Sequence, residues 1–173
     1  MTPVTVNTKQ LFLSLDETWA DLLHLIKSTD ETSVNLVPFE GSWTAAQLVR
    51  HVTKSNKAIA QGLQMDGTPA KRNPEEGVAK IKDMFLDFEA KYQSPEFIVP
   101  ENIHFERERI NSALQKSIEQ LEQNRNNVEL TEMITLPIFG EVTKLELLYF
   151  VLYHTQRHNH QLRKILKALK KSK

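Results

Sequence analysis

The stretch that decides the fold is Thr143–Leu169, "TKLELLYFVLYHTQRHNHQLRKILKAL". Thr143 and Glu146 stand at capping-box spacing, so a helix is expected to start here. An inward line then runs Leu147, Val151, His154, His158, Gln161 and Ile165, in steps of four and three residues. At 1.5 Å per residue the helix is about 40 Å long. His154 and His158 occupy seam positions otherwise filled mostly by aliphatic residues. They lie one turn apart, a spacing that lets two imidazoles converge on one ion. His160 is two positions beyond His158 and is predicted to point away.

Working backwards, the apolar spacing stays helical. Leu11, Leu15, Thr18, Leu22 and Leu25, flanked by Phe12, Trp19 and Ile26, predict a helix over residues 8–27. Thr44 and Gln47 form a second capping-box pair, and Leu48, His51, Val52, Ser55 and Ile59 share one face of the helix that follows, which should end between Gly62 and Met65. "NPEEGVAKIKDMFLDFEAKY" (73–92) carries Asn73 as N-cap, Pro74 in the first turn and a stripe of Val78, Ile81, Phe85, Phe88 and Tyr92. "SPEFIVPEN" interrupts the pattern with two prolines. A further helix is expected over 103–124, with Ile103, Ile110, Leu114, Ser117 and Leu121 inward. "NNVELTEMITLPIFGEV" (126–142) alternates weakly around Pro137 and Gly140 and reads as a connection able to form a short β-hairpin. Four long helices and one shorter one make an all-α four-helix bundle, expected as a single domain over 1–173.

A third ligand for His154 and His158 must come from another helix. His24 lies with Glu17, Asp21 and Lys27 on a wet face, and His104 aligns with Glu108, Asn111 and Gln115. His51 alone shares an apolar face. Three neutral imidazoles suit Zn(II), Ni(II) or Fe(II), and three ligands leave open positions, as catalytic sites do. A di-iron carboxylate bundle would need inward Glu-x-x-His pairs on two helices, and only "ENIH" (101–104) matches. No HExxH motif is present.

The totals narrow the function. Lys+Arg and Asp+Glu both number 22, so no net charge draws the chain to nucleic acid. The basic tail "RKILKALKKSK" reads as a helix C-terminus complementing its dipole. With no cysteine the chain offers neither a thiolate ligand nor a thiol nucleophile of its own. No run approaches the roughly 18 apolar residues of a membrane span, and "MTPVTVNTKQLFLSLDETW" does not read as a signal peptide. The expected setting is the cytoplasm, without membrane or nucleic-acid partners.

Two segments resemble the DinB/YfiT-like superfamily. "GSWTAAQLVRHVTKSN" (41–56) is similar to its Trp-Ser/Thr-x-x-x-x-x-His segment. "LPIFGEVTKLELLYFVLYHTQRHNHQL" (136–162) is similar to its closing Phe-Gly turn and His-x-x-x-His-x-x-Gln helix. The resemblance implies an up-up-down-down four-helix bundle with a divalent metal, nickel or zinc, on His51, His154 and His158. It also implies a metal-dependent activity on small molecules. The first expectation is a transferase using a low-molecular-weight thiol. The alternatives are a hydrolase of a small substrate and a non-catalytic helical-bundle interaction module. Members of the family often pair through helix faces, so the resemblance also implies a homodimer.

Such a metal would supply Lewis acidity, binding a thiol or water and lowering its pKa. Gln161, Ser55 and Trp43 are the candidates for substrate contact or for support of the site, Trp43 at the bundle mouth. Arg157 reads as a surface or interface charge. No carboxylate stands out as a general base.

Overall fold

The computed structural model describes residues 6–171. Four long helices form the bundle: α1 (Lys9–Lys27), α2 (Ala45–Leu63), α4 (Arg107–Asn127) and α5 (Lys144–Lys171), with a short α3 (Val78–Leu86) between α2 and α4. Strands β1 (Thr68–Pro69), β2 (Glu132–Leu136) and β3 (Gly140–Thr143) form one antiparallel sheet in that order. The expected hairpin is β2–β3, with Met133 opposite Thr143 and Leu136 opposite Gly140. Gly140 turns it at φ +66°, where a side chain would be strained. Strand β1 was not legible in the sequence: its pairing of Thr68 with Met133 is a long-range contact with no local pattern.

The inward stripes of α1, α2, α4 and α5 largely match the buried residues, but α3 buries none of its expected stripe, and Phe88 and Tyr92 are 38 and 54% exposed. Leu11, Leu15, Trp19, Leu22 and Ile26 of α1 meet Leu48 and Val52 of α2, Leu114 and Leu121 of α4, and Leu147, Val151 and Ile165 of α5 in one continuous core. Both capping boxes form. Thr44 and Gln47 exchange side-chain and backbone bonds at α2, and Thr143 and Glu146 do so at α5.

The helix directions differ from the expected up-up-down-down order. Arg125, late in α4, pairs with Asp16, early in α1, while Arg107 at the start of α4 reaches the Thr29 carbonyl just past the end of α1. These two helices are antiparallel. Asn56 meets Ser117 and Gln64 meets Asn124, so α2 and α4 run parallel. Helix α5 opposes α2, with His158 beside His51 and Leu147 beside Gly62. It runs along α1, with Asn159 bonded to Thr18 and Leu166 and Leu169 lining a recess with Ser28 and Thr29. The order is up-down-down-up. The reason lies in the connections. Residues 28–44 fold locally, with the Ala46 amide on the Val34 carbonyl, so α2 starts where α1 ends. Only residues 64–106 cross the length of the bundle. An up-up-down-down arrangement needs two long crossovers.

Three element boundaries also move. Helix α3 begins at Val78, after Gly77, and Asn73 caps only a turn, its Oδ1 accepting the Glu75 N–H at 3.0 Å. Helix α4 begins at Arg107, and Ile103 is 62% exposed. The Phe105 N–H and C=O are both taken by the Asn35 side chain, at 2.9 and 2.8 Å, which holds this backbone out of the helix. Helix α3 stops at Leu86, well before Tyr92. Asp87 Oδ1 accepts the N–H groups of Glu89 and Ala90, and Arg157 takes the carbonyls of Phe85, Asp87 and Ala90.

Glu146 joins three segments. Its carboxylate accepts from Arg72 Nη1 and Nη2 (both 2.7 Å), the Gly77 amide (2.6 Å) and the Thr143 amide (2.9 Å), at 1% exposure. Burial opposes its charge, but the Arg72 guanidinium and the two amides outweigh that and hold the carboxyl below its ordinary range. Glu146→Ala should therefore lower unfolding free energy by roughly 3 kcal/mol, because Arg72 and two amides lose their acceptor. Urea denaturation at neutral pH measures this.

Candidate metal centre

Helix α2 delivers His51 and α5 delivers His154 and His158 to one point in the bundle. The three are 2, 5 and 7% exposed. Their Nε2 atoms form a nearly equilateral triangle, with edges of 3.2 Å (His51–His154), 3.1 Å (His51–His158) and 3.1 Å (His154–His158). The antiparallel crossing of α2 and α5 makes this possible: it places the one inward histidine of α2 level with the i, i+4 pair of α5.

The outer nitrogens set the proton positions. His51 Nδ1 lies 3.0 Å from the Ile98 carbonyl, which can only accept, so this nitrogen carries the proton and Nε2 is bare. His158 Nδ1 lies 3.0 Å from Gln161 Oε1, with the same consequence. His154 can share a proton with one neighbour, but the His51–His158 edge then sets two lone pairs against each other at 3.1 Å. A cation between them resolves that conflict. Three imidazole nitrogens about 2.0–2.1 Å from one tetrahedral ion stand about 3.3 Å apart, close to the observed edges. The donor set therefore fits a divalent transition metal.

Protonation is not an alternative at neutral pH. Burial lowers the pKa of all three rings. For His51 it outweighs the Ile98 hydrogen bond. It drives His154 well below the ordinary value, with the neighbouring imidazoles and Arg157 adding to the effect. It takes His158 to about 3.

The other expected site residues take different places. Trp43 packs its ring 4.9 Å from His51, tilted by 44°. Gln161 orients His158 through Nδ1, on the side away from the triangle. Ser55 is buried one turn beyond His51, with no side-chain hydrogen bond to any of the three histidines. His24 and His104 are exposed, and His160 stacks on Phe88 at 4.1 Å, outside the cluster. Among the described residues no other group of His, Asp or Glu converges in this way.

Several neighbours were not singled out from the sequence. Phe150 stacks on His154 at 4.9 Å, one turn before it on α5, and that spacing could have flagged it. Phe85 of α3 meets His154 edge-on at 5.8 Å, a contact between elements that no local pattern announces. Arg157, expected as a surface or interface charge, is part-buried between α5 and the end of α3. Its guanidinium closes the C-terminal end of α3 and lies 5.2 Å over the Tyr92 ring.

The depressed imidazoles carry a stability signature in the metal-free protein. The unfolded chain takes up protons near the ordinary value of 6.5, whereas folded His158 does so only near 3. The unfolded state thus binds more protons as pH falls between these values. Stability from this source is complete above 6.5 and is lost progressively below it. The urea midpoint of metal-free protein should fall between neutral pH and about pH 5, and fall less in His158→Gln.

Comparison with known proteins agrees with this architecture. No curated protein matches the chain at a significant level. Among solved structures, the four-helix bundle protein TT2238 superposes with a TM-score of 0.59 at 16% identity, covering 91% of this chain and 99% of its own. YfiT from Bacillus subtilis, described as a probable metal-dependent hydrolase with an unusual four-helix bundle topology, superposes with a TM-score of 0.59 at 13% identity, covering 96% of this chain and 91% of its own. The sequence profile of the DinB superfamily matches residues 14–162, which include Trp43 and all three clustered histidines, and the chain belongs to that superfamily.

Proposed function

We propose that the protein is a metal-dependent enzyme acting on a small molecule, with His51, His154 and His158 as ligands of one divalent transition ion, zinc or nickel first and iron third. The observation that carries this reading is the His51–His158 edge, where two bare nitrogens face each other at 3.1 Å in a buried site. An interaction module without metal leaves that edge unexplained. A bound ion would supply Lewis acidity, making a small nucleophile more acidic and polarising its electrophile.

The chain's own residues supply the setting. Ile98 and Gln161 keep His51 and His158 protonated on the outer nitrogen, so both present lone pairs inward. Trp43, Phe85 and Phe150 wall the imidazoles with aromatic surface and limit water around them. All three ligands are neutral, so the ion keeps its double charge, which favours an anionic partner in an open position.

The reaction we favour is transfer of a low-molecular-weight thiol to a small electrophile. Among the described residues no carboxylate hydrogen-bonds to the three histidines, so none is held beside them as a partner for water. A thiol, with its ordinary pKa near 8.5, needs less help. Hydrolysis is the second reading, supported by the likeness to YfiT.

Elemental analysis of untagged protein should find about one transition metal per chain. His154→Ala/His158→Ala should lose it while keeping helical circular dichroism. Wild type that refuses added zinc and nickel would sink the proposal. In the cobalt-substituted protein, a small thiol such as 2-mercaptoethanol should add a sulfur-to-metal charge-transfer band. A spectrum unmoved by thiols, with ester cleavage by the zinc form, would select hydrolysis.

A further inference from the structure

One face of α2 grips a single short strap. Gln47, Arg50, His51 and Lys54 follow one another at helical spacing, and all reach Ile98–Glu101. His51 Nδ1 meets the Ile98 carbonyl at 3.0 Å, and Lys54 Nζ donates to the Val99 carbonyl at 2.8 Å. Arg50 holds the Glu101 carboxylate with two bonds, Nε at 2.9 Å and Nη2 at 3.0 Å, and Lys54 approaches the same carboxylate at 2.9 Å. Gln47 reaches the Glu101 carbonyl at 3.5 Å.

The strap has little regular structure of its own. Ile98 ends a three-residue 3-10 turn, and the chain beyond it is irregular up to α4. Pro95 and Pro100 restrict the backbone on either side. No sheet ladder fixes the Ile98 carbonyl, so its position depends on the packing of Ile98, on the Lys54 bond to the neighbouring Val99 carbonyl and on the fastening at Glu101. The Arg50–Glu101 pair is itself part-exposed, at 29 and 38%, and such pairs contribute little to global stability. Its consequence is geometric.

We propose that Glu101, fastened by Arg50 and Lys54, is a positioning residue for His51: it fixes the strap so that the Ile98 carbonyl keeps the His51 proton on Nδ1 and leaves Nε2 bare toward His154 and His158. When the fastening is lost, the carbonyl is free to withdraw and the proton is free to move to Nε2, where it blocks the lone pair. The effect on metal affinity rests on the metal-centre reading above. The effect on the His51 tautomer does not.

The test uses full-length protein with nitrogen-15-labelled histidine, as wild type, Glu101→Gln and Arg50→Gln, with Glu106→Gln as a control that breaks the exposed Arg109–Glu106 pair. Long-range proton–nitrogen NMR on the metal-free protein reads the tautomer. Wild type and the control should show His51 protonated at Nδ1, and the two strap variants should show a mixture with Nε2, at unchanged circular dichroism. Zinc affinity, by chelator competition, should fall about 10–100-fold in the strap variants and not in the control. A His51 tautomer unchanged in both strap variants overturns the proposal, as does an equal loss of affinity in the control. If wild type binds no zinc, the metal reading fails, and the tautomer measurement alone decides the role of Glu101.

Discussion

Three imidazole nitrogens face one another at 3.1–3.2 Å in an interior where none of the rings readily takes a proton. In water the conflict would vanish by protonation or by rotation of a ring. Here burial lowers each pKa, and the outer nitrogens of His51 and His158 are already bonded. Aromatic rings close on the cluster from α3, α5 and the turn before α2. The arrangement is coherent as a metal centre and hard to account for as simple core packing.

The helix order gives this cluster its surroundings. In the up-down-down-up bundle only one connection, residues 64–106, has to travel from one end to the other. That crossover carries Phe85 to His154 and the Ile98 carbonyl to His51. The same segment therefore solves a problem of connectivity and completes the site.

Irregular backbone beside a buried site needs fastening, and charged side chains provide it. Glu146 at the start of α5 takes the Gly77 amide just before α3. Arg157, between the two histidines of α5, takes the carbonyls at the far end of α3. Arg50 and Lys54, on either side of His51, take Glu101. Each fastener sits on a helix that also bears a clustered histidine, so the histidines and the segments that cover them are tied to the same two helices.

The local and periodic features could be read directly along the chain. The 3.6-residue spacing marked the stripes of α1, α2, α4 and α5. Reciprocal Thr–Gln and Thr–Glu pairs marked two helix starts, and face counting separated His51, His154 and His158 from His24, His104 and His160. These features depend on residues within a turn or two of each other, so they can be read along the chain. Helix direction, the early end of α3, the late start of α4 and the strand at Thr68 were decided only in the tertiary structure. Each depends on a partner far away in sequence: Asn35 on Phe105, Arg157 on the carbonyls of α3, Met133 on Thr68. The same holds for the outer hydrogen bond of His51. Its acceptor is a backbone carbonyl, which any residue at position 98 would supply, so only the path of the chain could place it there.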